Sequence, residues 1–222
     1  MGNCFIEHVG STSVPGLGGK GIVDVLVGVK SKNLPPLIKT LESVGYEFRK
    51  KASTPDRFFF RRDYKFSKET RRVHIHLTKF DSKDWNEMIA FRNYLLKYPE
   101  DVKKYVKIKK EAVERAKGEG EIYREFKRSF MEDITKKQLA INELRKKVQE
   151  IVKIATTLKN KHTSNKNAPV NYACIFSHSQ KEYGELIRIT QSIGKIVKET
   201  PTGLLFWIWT APLFIDNQLA NI

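Results

Sequence analysis

Apolar and polar positions along this chain recur with two periods, one near two residues and one near 3.6, and the switches between them mark out its elements. Ile6 to Val9 is short and partly β-branched and ends at Gly10-Ser11-Thr12-Ser13, which reads as a strand running into a turn. Ile22 to Val29 is a second strand, almost wholly apolar except for Asp24. Leu34, Leu37, Ile38, Leu41 and Val44 return at helical spacing up to Gly45, so an amphipathic helix with a glycine stop is expected there. Tyr46-Glu47-Phe48 and Arg57 to Arg62 read as strands. In Arg71 to Thr78 strict alternation puts Val73, Ile75 and Leu77 on one face and Arg72, His74 and His76 on the other. Asp84 is expected to cap a core helix through Trp85, Met88, Phe91, Tyr94 and Leu95. Pro99 opens a further helix toward Ala116, with Gly118 and Gly120 ending it.

From Glu121 the pattern stays helical for nearly forty residues. Ile141/Leu144, Val148/Ile151 and Ala155/Leu158 fall at a and d positions of three heptads, which leaves two readings open: a short coiled coil joining two protomers through 141–158, or a long helix laid on its own domain. The polar stretch from Thr156 to Pro169 is expected to be a linker. Beyond it, strand (172–176), helix (Lys181 to Ile193) and strands (Lys195 to Lys198, Leu204 to Trp209) suggest a small βαβ-like unit. Its uncharged Leu204 to Ile215 segment must be covered, by a partner or by missing structure. The expected organisation is thus an α+β (α/β-like) core with a mixed sheet flanked by helices over 1–135, a helical extension over 136–160, a linker over 161–169 and an appendage over 170–222.

Composition adds a bias toward anionic partners. The 222 residues include 41 Lys and Arg against 25 Asp and Glu, a net charge of +16. Nucleotides, other phosphorylated small molecules and nucleic acid are all attracted to such a chain, although interspersed Lys and Glu also suit a solvated, ion-paired surface. Two distant cysteines, Cys4 and Cys174, suggest neither a disulfide framework nor a zinc site. No run of apolar residues is long enough to span a membrane and no signal peptide opens the chain, so the cytoplasm is the expected compartment.

The chemistry concentrates in residues 7–29, EHVGSTSVPGLGGKGIVDVLVGV. Two phosphate-binding motifs fail here. A Walker A loop needs a glycine where Val14 stands and a Ser or Thr where Gly21 stands. Gly16, Gly18 and Gly21 do spell G-x-G-x-x-G, yet a strand follows them, not the helix a dinucleotide fingerprint requires. What remains is a Gly-Ser turn with exposed amides, Lys20 nearby as a cation, and a carboxylate on a buried strand, which is costly unless paired, hydrogen-bonded or metal-bound. Ser11, Thr12 and Ser13 lack the elbow and the Asp-His order of a hydrolase triad. Glu7 reads as a surface or ion-paired residue.

These residues carry a resemblance. HVGSTSVPGLGGKGIVDV, Arg71 to Leu77 (RRVHIHL), Ala90 to Leu95 (AFRNYL) and Tyr123 to Phe130 with Lys127 together resemble the GrpB-like family over about residues 3–135. The resemblance implies a nucleotidyltransferase fold, in which the Gly-Ser turn lies beside the Asp strand and the HxH strand. It also implies that Asp24, His74 and His76 form the catalytic and metal site, holding Mg²⁺ or Mn²⁺, and it singles out Arg92. Gly10, Ser11, Thr12, Ser13 and Lys20 are then expected to cradle a phosphate, with Arg72, Arg92 and Lys127 adding charge-assisted contacts. Nucleotidyl transfer normally uses two carboxylates, whereas here the residue two beyond Asp24 is Leu26. Two functions therefore stay open: a metal-dependent enzyme transferring a nucleotidyl or phosphoryl group, and a non-catalytic nucleotide- or RNA-binding module with a degenerate site.

Overall fold

The structure is a computed structural model that describes residues 4–19, 21–66, 69–170, 173–201, 203–208, 213–215 and 218–220. Its contacts divide the chain into two units, Met1–Gln138 and Leu139–Ile222.

The first unit is built on a mixed five-stranded sheet. β1 (Phe5–Val9), β2 (Val23–Val29), β3 (Glu47–Phe48), β4 (Arg57–Phe66) and β5 (Glu69–Lys79) lie in the order β1-β2-β5-β4-β3. β2 and β5 are parallel, and the other neighbours are antiparallel. The mixed α+β architecture is the one expected. Period-two alternation gives each central strand two chemically different faces. Val25, Val27, Val29, Phe58, Phe60, Val73, Ile75 and Leu77 pack against Leu34, Leu37, Ile38 and Leu41 of α1 (Leu34–Ser43). On the opposite face Leu26 packs with Val9 of β1 and with Trp85, Met88 and Ile89 of α2 (Lys83–Lys97), while Asp24, His74 and His76 share that face.

Ser82, not Asp84, caps α2. Its hydroxyl accepts from the Trp85 amide at 3.3 Å, and Asp84 falls in the first turn, where a carboxylate favours the helix dipole. α3 (Pro99–Ala116) ends on Lys117 in the left-handed conformation, and Gly120 starts the next helix instead of closing this one. Between the turn after β1 and β2, Val14 and Leu17 are buried with Tyr94, Leu95, Val102, Tyr105 and Ile134. The glycine-containing loop is thus held to the helices by two apolar anchors.

α4 (Gly120–His162) is one continuous helix of 43 residues. The expected linker consequently begins only after His162, because polar residues of ordinary helix propensity extend the last turns. In the second unit Ile141, Leu144, Val148 and Val152 of α4 are buried with Ile193 and packed by Leu186 and Ile189 of α5 (Gln180–Gln191), Val170, Ala173 and Ile208. The heptad stripe is therefore covered within its own chain through Val148, after which Val152 takes the buried position in place of Ile151, and Leu158 is 53% exposed. Lys159 Nζ ties the segment after the helix back to it, donating to the carbonyls of Lys166 (2.7 Å) and Ala168 (2.5 Å).

After α5 the chain forms an antiparallel hairpin of β6 (Gly194–Thr200) and β7 (Gly203–Ile208), and β8 (Leu213–Ile215) pairs with β9 (Gln218–Ala220). The strand expected over 172–176 does not form across Ala173 to Phe176, and Tyr172 lies outside the described residues. No helix among the described residues is long and apolar enough to cross a membrane.

Candidate functional site

The parallel pairing of β2 with β5 sets Asp24 directly beside His74, with Val9 opposite Asp24 on β1. Asp24 Oδ1 lies 3.0 Å from His74 Nδ1 and 3.4 Å from His76 Nε2. Burial opposes ionisation of this carboxyl, but the hydrogen bonds and charges of the two imidazoles outweigh it and hold its pKa down to about 2. Burial pushes His76 the other way, below its ordinary value and against the pull of Asp24, so at neutral pH His76 is a neutral donor to the carboxylate. At neutral pH an ionised Asp24 thus stands against a neutral His76.

An ionised carboxylate only accepts. Both ring nitrogens that face Asp24 therefore carry protons, which leaves the lone pairs on His74 Nε2 and His76 Nδ1. The latter is buried without a partner. Such a triad aims N–H groups, not lone pairs, at its carboxylate, and among the described residues no group of three His, Cys, Asp or Glu side chains is disposed to hold a metal ion. The expected Mg²⁺ or Mn²⁺ ligand set of Asp24, His74 and His76 comes together in space but does not fit a cation in this arrangement. One carboxylate with two imidazoles is also a poor donor set for Mg²⁺, which prefers oxygen.

Gly10 makes this proximity possible. It sits at φ 74°, ψ −168°, a region essentially restricted to glycine, and a Cβ there would overlap the Asp24 carboxylate. The following turn, Ser11 to Ser13, is one turn of 3₁₀ helix. Ser13 Oγ donates to the Gly10 carbonyl at 2.7 Å, so Ser13 serves the turn itself. Thr12 Oγ1 is 2.9 Å from His8 Nε2 and donates to the Ile22 carbonyl at 3.2 Å.

Beside the turn opens a cavity of about 700 Å³. Ser11, Thr12, Gly18, Gly19, Asp24 and His74 form one side of its lining. Lys109, Lys110 and Val113 of α3 and Tyr123 and Lys127 of α4 form another. Lys109 is the cation that contacts the turn. Its Nζ donates to Ser11 Oγ at 3.0 Å and to the Gly18 carbonyl at 2.7 Å, and burial lowers its pKa. Lys127 Nζ stands over the Tyr123 ring, 4.1 Å from its centre.

Of the expected phosphate-binding set, Ser11, Thr12 and Lys127 line this cavity, and Gly10 and Ser13 shape the turn behind it. Lys20 lies outside the described residues. Arg92 does not face the cavity: its Nη1 donates to Glu7 Oε2 at 2.6 Å and to the His8 carbonyl at 2.9 Å, pinning β1 to α2. Arg72 makes a two-pronged pair with Asp63, its neighbour across β4, at 2.6 and 2.8 Å. Lys109 and Lys110 escaped the sequence reading. A signal existed: Lys109 interrupts the buried Val102, Tyr105, Ala112, Ala116 stripe of α3, where a lysine is out of place without a partner.

Comparison with known proteins agrees with this part of the chain. A UPF0157 protein of Pseudomonas aeruginosa is 33% identical over 125 residues, 53% of this chain and 48% of that protein, so the chain spans about half the length of that relative. The glutamate-rich protein GrpB of Alkalihalophilus pseudofirmus is 29% identical over 131 residues, 58% of this chain and 75% of that one. The crystal structure of the conserved protein GrpB from Enterococcus faecalis superposes with a TM-score of 0.52 at 32% identity, covering 62% of this chain and 82% of that one. With the family model described as GrpB protein matching residues 2–137, the chain belongs to the GrpB family.

Proposed function

We propose that the cavity of the first unit binds a phosphorylated small molecule of the nucleotide class and that the site transfers its phosphoryl or nucleotidyl group. The observation that carries this reading is the meeting of the Ser11–Thr12 turn with three lysines, Lys109, Lys110 and Lys127, around one cavity that also contains the Asp24–His74 pair. Clustered ammonium groups favour a multiply charged anion, and the Ser11 hydroxyl, which accepts from Lys109, keeps its own proton for a phosphate oxygen. Val106, Val113 and Tyr123 add apolar and aromatic surface suited to the organic part of such a ligand. No step of this reading runs through a metal held by the protein.

The test is calorimetric titration of ATP, GTP, UMP and inorganic phosphate, with and without Mn²⁺, backed by thermal shift, since a ligand that binds the folded state raises its stability by mass action. Saturable binding in the metal-free arm that is lost in Ser11→Ala/Lys109→Met supports the reading, and absence of binding by all four ligands overturns it. A second reading, a non-catalytic nucleotide- or RNA-binding module, is favoured by one feature: Leu26, not a second carboxylate, shares the face of Asp24 and is wholly buried.

A further inference from the structure

The hydrogen-bond pattern around Asp24 separates two histidines that look equivalent in the sequence. His74 and His76 occupy one face of β5 and both reach Asp24 Oδ1, but through opposite ring nitrogens, Nδ1 of His74 and Nε2 of His76. Since the carboxylate only accepts, the lone pair of His74 is on Nε2 and that of His76 on Nδ1. His76 Nδ1 is buried with no partner, and His76 is absent from the cavity lining, whereas His74 lines the cavity together with Asp24. Ser11 and Thr12, the hydroxyls of the same lining, are already engaged by Lys109 and His8. Among the described lining residues His74 is therefore the imidazole that serves the cavity, in a ring whose Nδ1 edge is held by a carboxylate.

The geometry points to His74 as the phosphoryl acceptor of this site, forming a transient phosphohistidine at Nε2 from a phosphoanhydride or phosphoramidate donor. This rests on the reading of the cavity as a phosphate site. In the step, the Nε2 lone pair forms the N–P bond as the bond from phosphorus to the leaving group breaks. The leaving group departs with that electron pair, as a nucleoside diphosphate when the donor is a nucleoside triphosphate. The proton on Nδ1 stays in its hydrogen bond to Asp24, so the positive charge that develops on the ring is met by a carboxylate already in place. Lys109 and Lys110 line the same cavity, where they neutralise the charge on the donor's oxygens. Asp24 acts through His74 as a positioning residue: it fixes the Nδ1–H tautomer, without which Nε2 would carry the proton and could not attack.

Incubation of the full chain with ATP labelled at the γ-phosphate and, separately, with labelled phosphoramidate, followed by alkaline denaturation, reads the outcome directly. The expected result is an acid-labile, alkali-stable label on the peptide containing His74. It should be absent in His74→Gln and slower by up to about 10⁴-fold in Asp24→Asn, the loss that follows when a misplaced tautomer disables an imidazole. ATP affinity, measured on the same proteins, separates chemistry from binding. No label from any donor with ATP binding intact overturns the assignment and leaves the binding reading standing. So does label that persists in His74→Gln. Label from phosphoramidate without ATP binding would instead keep His74 as acceptor and overturn the nucleotide reading.

Discussion

Lys109 Nζ donates to Ser11 Oγ at 3.0 Å across 98 positions of sequence, and through the Gly18 carbonyl it also grips the far side of the same loop. The lysine is at once the cation of the cavity and the clamp on its rim. A half-buried cation with two oxygen partners is favourable because both hydrogen bonds are made, so losing it costs the loop a polar clamp as well as a charge.

Removal of this ammonium should thus weaken phosphate binding more than removal of a solvent-facing lysine. Lys109→Met is expected to lower affinity for ATP or inorganic phosphate by roughly 10–100-fold, the range of one charge-assisted hydrogen bond. Lys107→Met, on the exposed side of α3, should change it less than about threefold, as a surface charge does in salt. Calorimetry at fixed ionic strength checks the comparison, and equal losses in the two variants would refute the special role of Lys109.

Gly10→Ala is expected to destabilise the first unit by about 3 kcal/mol or more, from a glycine-only backbone conformation plus the collision with Asp24. Thermal melting should fall by roughly 6–12 °C. In an Asp24→Ala background the same change should cost less, because the collision disappears and only the backbone term remains. A double-mutant cycle reads that difference as a coupling energy.

Acid should weaken this fold in two phases. Asp24 has a folded pKa of about 2, below its ordinary 3.8, so it contributes stability above the ordinary value that is lost as pH falls through about 2, an amount of about 2 kcal/mol. His76 is depressed by burial, so protonation favours the unfolded chain and stability already begins to fall below the ordinary value of 6.5. Denaturant midpoints measured from pH 7.5 to pH 2.5 should show both phases. Asp24→Asn should flatten the lower one and His76→Phe the upper one.

In α4 the apolar stripe can be tested by position. Ile141→Glu and Val148→Glu place a charge at sites that are 2% and 6% exposed. They should melt the second unit with losses of roughly 3–5 kcal/mol, without changing the mass of the folded protein in sedimentation. Leu158→Glu should be nearly silent. A change of oligomeric mass in either buried variant would revive the coiled-coil reading.

Local pattern was enough to find the elements. Alternation in Arg71 to Leu77 put both histidines on one face, helical spacing located α1 to α3, and an aspartate in an apolar run announced that Asp24 needs a partner. These are properties of neighbouring residues, set by the pleat of a strand and the pitch of a helix, and so is the match of residues 2–137 to the GrpB family. Tertiary structure decided what the side chains do with one another. The parallel register of β2 on β5 placed Asp24 beside His74, and the fold decided which nitrogen of each ring faces the carboxylate. Arg92 and Arg72 were drawn away from the cavity by Glu7 and Asp63, carboxylates that folding alone brings within reach. Lys109 came from a helix distant in sequence to the Ser11 turn, since sequence separation says nothing about which charges share a cavity.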